Sequence, residues 1–252
     1  MIAQWFSDKL TYFQIKKLNL ILRLGLPLER WLHGILLLLQ KELGNIDIEK
    51  LRFIILFEAD FNWLLKMMFS KRLMSRAIEN KTLPQEFFAM KEKSAKDAII
   101  TRTLYCDTLR LQHQSFAVVS AYLSQCFDMI GHSQCSLGMQ AQGCPIKPIT
   151  IMLFALQNMN YWIRSAYGDA KTSFSAPSDD PFMGMGQGSG GSNPGCAFTL
   201  TPVVNAYKRK GYHATMISAW SRRILLLAAL QYVDDTDSVS YTHLTLPTIL
   251  LV

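Results

Sequence analysis

Apolar positions recur at helical spacing soon after the start of the chain, where Leu10, Phe13, Leu18, Ile21 and Leu22 share one face until Gly25 and Pro27 interrupt the pattern. The next stretch, Pro27 to Leu43, reads as a second helix stopped by Gly44. Lys50-Leu51-Arg52-Phe53-Ile54-Ile55-Leu56-Phe57 has the β-branched and aromatic content of a strand. Helical spacing returns from Glu58 to Asn80, with its start near Asp60, and Pro84 breaks it. Ser94, followed at the third position by Asp97, forms a capping box for a helix reaching about His113. Phe116 to Tyr122 reads as a strand, followed by a short helical run to about Gly143, a helix from Pro148 to Met159 and an extended Tyr161 to Tyr167.

Ser173 to Gly195 changes character, because Ser, Pro, Asp and Gly dominate it and mark a loop, after which a helix runs from Pro194 to Tyr207. From Ile224 to Val233 a Leu- and Ala-rich run reads as a buried strand or hairpin arm, and it stops at two adjacent carboxylates, Asp234 and Asp235. Strands and helices are interspersed without strict βαβ alternation, so the expected class is α+β. No internal repeat is visible.

Composition narrows the function. Half of the 252 residues are apolar, enough to build a core. The 26 Lys and Arg against 19 Asp and Glu leave a formal charge of +7, which suits a polyanionic partner as well as an ordinary basic protein. Cys106, Cys126, Cys135, Cys144 and Cys196 include no Cys-x-x-Cys pair and read as reduced, mostly buried thiols of an intracellular protein. Met1 to Leu10 lacks the apolar core of a signal peptide, and Pro148 to Ile163 contains Gln157, Asn158 and Asn160 and falls short of a span. The expectation is therefore an intracellular chain, nuclear or cytoplasmic, neither secreted nor membrane-spanning.

The paired acids carry the candidate chemistry. In-line attack on an α-phosphate uses two divalent cations, and hard Mg²⁺ takes carboxylate oxygens, so Asp234 and Asp235 at a strand end suit a polymerase centre. Tyr232-Val233-Asp234-Asp235 resembles the two-aspartate motif of reverse transcriptases. Leu26-Pro27-Leu28-Glu29-Arg30-Trp31, Lys41 with Gly44, and Lys50-Leu51-Arg52 before Glu58-Ala59-Asp60-Phe61-Asn62 are similar to the fingers region of a retrotransposon-like eukaryotic family of these enzymes. Gln157, Ile163-Arg164-Ser165-Ala166-Tyr167-Gly168-Asp169, Gly186-Gln187-Gly188-Ser189-Gly190 and Tyr232-Val233-Asp234-Asp235-Thr236-Asp237 follow in the family's order. The match covers about 25–237. It implies N-terminal helices and fingers over 1–115, a palm with an antiparallel sheet packed on helices over 116–238, RNA-directed DNA polymerisation with two Mg²⁺, and RNA template, DNA primer and deoxynucleotides as partners.

The resemblance also assigns roles. Arg52 matches the position that contacts the triphosphate of the incoming nucleotide, where a planar guanidinium holds two phosphate oxygens; by itself it also suits a surface arginine at a strand start. Gln187 and Gly188 match the motif beside the nascent base pair, where a missing Cβ admits close backbone approach. Phe127 matches the aromatic ring that rejects a ribose 2′-hydroxyl, though an ordinary core phenylalanine fits the same position. Gly186-x-Gly188-x-x-Gly191 fits the dinucleotide fingerprint, but Ser192-Asn193-Pro194-Gly195 follows where a helix should start and no acid lies about twenty residues on. Cys126, His132, Cys135 and Cys144 lack the close Cys pair of a zinc site. Basic groups at Lys71, Arg72 and Arg76, at Lys91, Lys93 and Lys96, and at Lys208, Arg209 and Lys210 suit a duplex groove or a solvated face.

One expected carboxylate is missing. The family's third metal-binding Asp precedes the aromatic ring by five residues, and that position is Tyr122 here. A phenol with pKa near 10 is neutral at pH 7 and bulky. Asp128 lies six residues on, about 20 Å along a strand or about 9 Å along a helix. These departures, a turn Phe87-Phe88-Ala89-Met90-Lys91 that differs from the family's, and the lack of a thumb after Asp237 predict a poorly active or inactive copy. Ser240-Tyr241-Thr242-His243-Leu244-Thr245-Leu246-Pro247-Thr248 resembles a translated sequencing adapter, so 239–252 is expected to be non-native. A non-catalytic nucleic-acid-binding remnant and an unrelated structural α+β protein stand as the alternative readings.

Overall fold

The computed structural model describes residues 2–241 apart from 43, 45, 46, 124, 166, 167, 178, 218–220, 223, 233 and 234, and describes only the backbone of 2–6, 49 and 235–241. In chain order the elements are α1 (Ile2–Leu24), β1 (His33–Gln40), β2 (Leu51–Leu56), α2 (Ala59–Leu65), α3 (Met74–Glu79), α4 (Ala95–Leu111), β3 (Phe116–Tyr122), α5 (His132–Ala141), α6 (Ile146–Gln157), β4 (Asn160–Ser165), β5 (Gly168–Asp169), α7 (Ser192–Arg209), β6 (Ala214–Ile217), β7 (Ile224–Leu227), β8 (Ala229–Tyr232) and β9 (Asp235–Tyr241). The fold is α+β. Two compact units interleave along the sequence: Met1–Ala77 with Phe127–Gly195, and Ile78–Cys126 with Cys196–Val252. Among the described residues no helix is long and apolar enough to cross a membrane.

The first unit is built on a four-stranded sheet ordered β2-β1-β4-β5, in which β1 runs antiparallel to β2 and parallel to β4. The helix expected over Pro27–Leu43 is absent. A short 3₁₀ turn at Glu29–Leu32 leads into β1, an interior strand flanked by β2 and β4. The leucines of 36–39 have good helix propensity, but hydrogen bonding on both edges of the segment overrides it, and a continuous apolar run is the mark of an interior strand. Gly34 lets the strand pack closely, since a Cβ there would lie 2.7 Å from Met159 Sδ.

Asp60 ties three segments of this unit. Its carboxylate accepts from Lys17 Nζ on α1 at 2.7 Å, from Trp31 Nε1 at 2.7 Å, and from the Arg30 guanidinium, which also pairs with Glu58. Trp31 is fully buried and stacks on Phe61 at 5.1 Å between ring centroids, so the clamp and the core meet at one indole.

The second unit holds the antiparallel sheet β3-β9-β8 and the hairpin β6–β7. Tyr105 and Leu109 of α4 pack with Phe88, Ala214, Leu227 and Leu230 to form its core. Instead of one arm, the apolar run from Ile224 breaks at Ala228 into β7 and β8, which belong to different sheets. Burial is confined to its middle: Leu227 is 7% exposed and Ala228, Ala229 and Leu230 are at 4% or less, whereas Ile224 is 65% exposed.

Candidate functional site

In the second unit, β8 and β9 form a hairpin whose closing pair is Tyr232 and Asp235. Asp234 lies outside the described residues, and so does the side chain of Asp235. On its other edge β9 pairs with β3, and the register sets Tyr122 directly across from Asp235. The tyrosine ends its strand and is 68% exposed. Directly opposed residues of an antiparallel pair hold their Cα atoms about 4.5–5.5 Å apart, so position 122 is a backbone neighbour of the acid.

The other edge of β8 is held by residues 86–88. Gln231 is 3% exposed, its N–H donates to Glu86 O at 2.9 Å, and its carbonyl accepts from Phe88 N at 2.8 Å. Residues 86–88 thus extend the sheet beside Gln231, three positions before Asp234. Lys208 Nζ reaches the buried Glu86 carboxylate at 2.7 Å, and Lys93 Nζ donates to Gln85 O at 2.6 Å and sits over the Phe88 ring. Burial pushes the Lys93 ammonium below its ordinary range against the pull of Glu86 and Asp97. Two of the lysines expected in a duplex groove are therefore engaged internally.

The nucleotide-side candidates lie in the first unit. Arg52 is exposed on β2, paired in register with Leu39. The Gln187–Gly188 loop covers the outer edge of that strand: Ile55 N donates to Gln187 O at 2.8 Å, and a Cβ on Gly188, whose φ is +108°, would stand 2.5 Å from Ile55 O. Ile55 and Arg52 are three residues apart, so they face opposite sides of the pleat. Phe127 is half-buried in the turn after β3, and its carbonyl accepts from Met185 N at 2.7 Å while Gly184 N donates to Ile130 O at 2.9 Å. Backbone bonds thus link the Phe127 turn, the Gln187 loop and the Arg52 strand. Asp128, in the same turn, has its carboxyl pushed up by burial, which Lys41 opposes.

Asn62 and Ser70 are the residues to which the sequence assigned no role. Asn62 Nδ2 donates to Gly188 O at 3.0 Å, its Oδ1 accepts from Gly190 N at 2.7 Å, and Ser70 Oγ donates to Gly190 O at 2.6 Å. The loop is thereby strapped to the helix that follows β2, where Lys66–Leu73 winds as a π-helix between α2 and α3. Wide π turns are rare and recur at functional sites.

The dinucleotide fingerprint is excluded on a different ground from the one expected. A helix does start at Ser192, but among the described residues no strand leads directly into the loop, and Gly186 and Gly188 face Ile55 while Gly191 faces Met152 instead of opening a phosphate cradle. Of the residues considered for zinc, His132 Nε2 pairs with Gly184 O at 2.7 Å and Cys135 Sγ meets Met185 Sδ at 3.6 Å. Burial raises the Cys144 thiol to about 11. No three His, Cys, Asp or Glu side chains gather in a metal-holding group among the described residues.

No family model matches the chain, and no curated protein matches it. Its fold does match solved structures. The telomerase from Candida Tropicalis in complex with a TWJ fragment of telomeric RNA aligns with 94% of this chain at a TM-score of 0.51 and 10% identity. The apo telomerase from Candida Tropicalis aligns with 84% at a TM-score of 0.50 and 12% identity. The chain spans 40% and 39% of those two proteins, and the likeness establishes a reverse-transcriptase-like fold.

Proposed function

We propose that this chain is the fingers and part of the palm of an RNA-directed DNA polymerase from a retrotransposon-like element, and that it engages a template and primer without extending the primer efficiently. One observation carries the reading: the register that sets Tyr122 directly across from Asp235. In a centre of this type, position 122 supplies the third carboxylate for two Mg²⁺ ions held with Asp234 and Asp235. A hard dication takes six or more oxygens and favours anionic ones, and a neutral phenol is a poor substitute. The donor set is thus one carboxylate short, and metal-assisted transfer is impaired.

In this reading Arg52 meets the triphosphate, Phe127 the sugar, and Gln187 with Gly188 the nascent base pair. The RNA bound by the telomerase neighbour supports a nucleic-acid partner, which this reading takes to be RNA template and DNA primer. Such partners belong to the nucleus or cytoplasm. The test is primer extension on an RNA template with deoxynucleotides and Mg²⁺, comparing the chain with its Tyr122→Asp variant. Restoring the carboxylate raises the rate about a thousandfold or more, equivalent to several kcal/mol of transition-state stabilisation. Equal extension by both proteins overturns the impairment. Extension by neither, together with duplex binding unchanged by EDTA, favours a non-catalytic nucleic-acid-binding remnant.

A further inference from the structure

Two cysteines far apart in sequence meet in the second unit. Cys126 Sγ and Cys196 Sγ are 3.3 Å apart, across 70 positions of chain. Cys126 lies in the turn after β3 and is half-buried, so a small solute reaches it; Cys196, on α7, has no exposed surface. Closing to the ~2.05 Å of a disulfide requires a movement of little more than one ångström. The remaining thiols differ in setting. Cys135 is fully buried against Met185, Cys144 is buried with a thiol that resists ionisation, and Cys106 lies on α4.

From this juxtaposition we propose that Cys126 and Cys196 form a peroxide-sensitive dithiol site, with Cys126 as the attacking thiol and Cys196 as the resolving one. The steps balance. The Cys126 sulfur attacks one oxygen of a hydroperoxide, the O–O bond breaks, and a sulfenic acid and one water (an alcohol from an organic hydroperoxide) result. The Cys196 sulfur then attacks the Cys126 sulfur and expels the hydroxyl, which leaves as water with the Cys196 proton. Two electrons pass from the thiols to one peroxide. A partly exposed cysteine beside a fully buried one fits this division of labour, because the sulfenic acid forms where oxidant arrives and is captured before it oxidises further.

The cross-link joins the turn that precedes Phe127 to α7 and closes a long covalent loop, which constrains the unfolded chain and stabilises the folded one. It is independent of whether the protein polymerises DNA. The experiment treats the full chain with stoichiometric hydrogen peroxide, blocks residual thiols, and maps disulfides by peptide mass spectrometry under non-reducing conditions. The expected result is an intramolecular Cys126–Cys196 link, reversed by dithiothreitol, with a Tm several degrees above that of the reduced chain. In Cys196→Ser, a dimedone adduct accumulates on Cys126, whereas the unmodified sequence shows almost none. A link through Cys135 or Cys106, links only between chains, or persistent sulfenic acid on Cys126 in the presence of Cys196 overturns the assignment. Disulfide mapping uses the unmodified sequence, so it decides the question even where a variant folds poorly.

Discussion

At the scale of single residues, Asp60 contributes more than a surface carboxylate. Burial opposes its ionisation, yet the Lys17 ammonium, the Trp31 indole N–H and the Arg30 guanidinium together outweigh burial and hold the carboxyl below its ordinary 3.8. A depressed folded pKa contributes stability that is present above the unfolded value and is lost as pH falls through the folded one. The chain should therefore lose stability below about pH 4 partly through this group. Asp60→Asn keeps the shape and an acceptor for the indole but surrenders the charge, at a cost of about 2 kcal/mol near neutrality. Urea titrations at pH 7 and pH 3 check it: the difference between the two proteins should shrink at the lower pH. An equal difference at both would remove Asp60 from the acid response. Glu58-Ala59-Asp60-Phe61-Asn62 was legible as a motif in the sequence, but its partners were not. Lys17 is 43 positions away, and no local rule joins them.

At the scale of elements, the strap between the glycine-rich loop and the helix after β2 depends on the π turn. Asn62 and Ser70 are eight positions apart, and in a regular α-helix of about 100° per residue the second would point some 80° round from the first. A π turn closes i→i+5 bonds and advances each residue by a smaller angle, so Lys66–Leu73 brings Ser70 back toward the Asn62 face and both reach Gly190. Gly190 has no room for a side chain: a Cβ would lie 2.6 Å from Lys66 N and 3.0 Å from Asn62 O. Gly190→Ala should cost about 3 kcal/mol as the loop is pushed off the helix, and Asn62→Ala about 2 kcal/mol through two lost bonds. Hydrogen exchange at the Gly190 amide provides the local readout, and protection unchanged in Asn62→Ala would contradict the strap.

What the sequence showed of these elements follows from how local their causes are. The Ser94–Asp97 capping box is made within one turn, with both reciprocal bonds present, and α4 starts where the pattern predicts. β3, which carries Phe116, Val118 and Val119, likewise runs from Phe116 to Tyr122 as expected. By contrast β1 is a strand because of neighbours on both edges, and the split of the Ile224 run at Ala228 reflects membership of two sheets. Neither is encoded in a window of ten residues. The same holds for the site. Motif order follows from reading along the chain, but a register that opposes Tyr122 to Asp235 arises only when β3 and β9 pair across more than a hundred positions.

At the scale of the whole molecule, the count of 26 Lys and Arg overstates the cations available to a polyanion. Lys208 neutralises Glu86, which is 2% exposed, and Lys93 caps backbone carbonyls, so neither is free to move to a phosphate without a structural cost. Arg209, next to Lys208 but exposed at the end of α7, has no such duty within the core. The two neighbours should therefore separate in a single experiment. Binding of a fluorescent RNA–DNA duplex across increasing salt gives a slope of about −0.9 per phosphate neutralised. Arg209→Ala should flatten that slope by about one unit and leave the unfolding midpoint in place. Lys208→Met should leave an uncompensated buried carboxylate, cost about 3 kcal/mol, and act on binding only through the folded fraction. If Lys208→Met instead flattens the slope with stability intact, the Glu86 pair is dispensable, and the basic end of α7 faces nucleic acid as one surface.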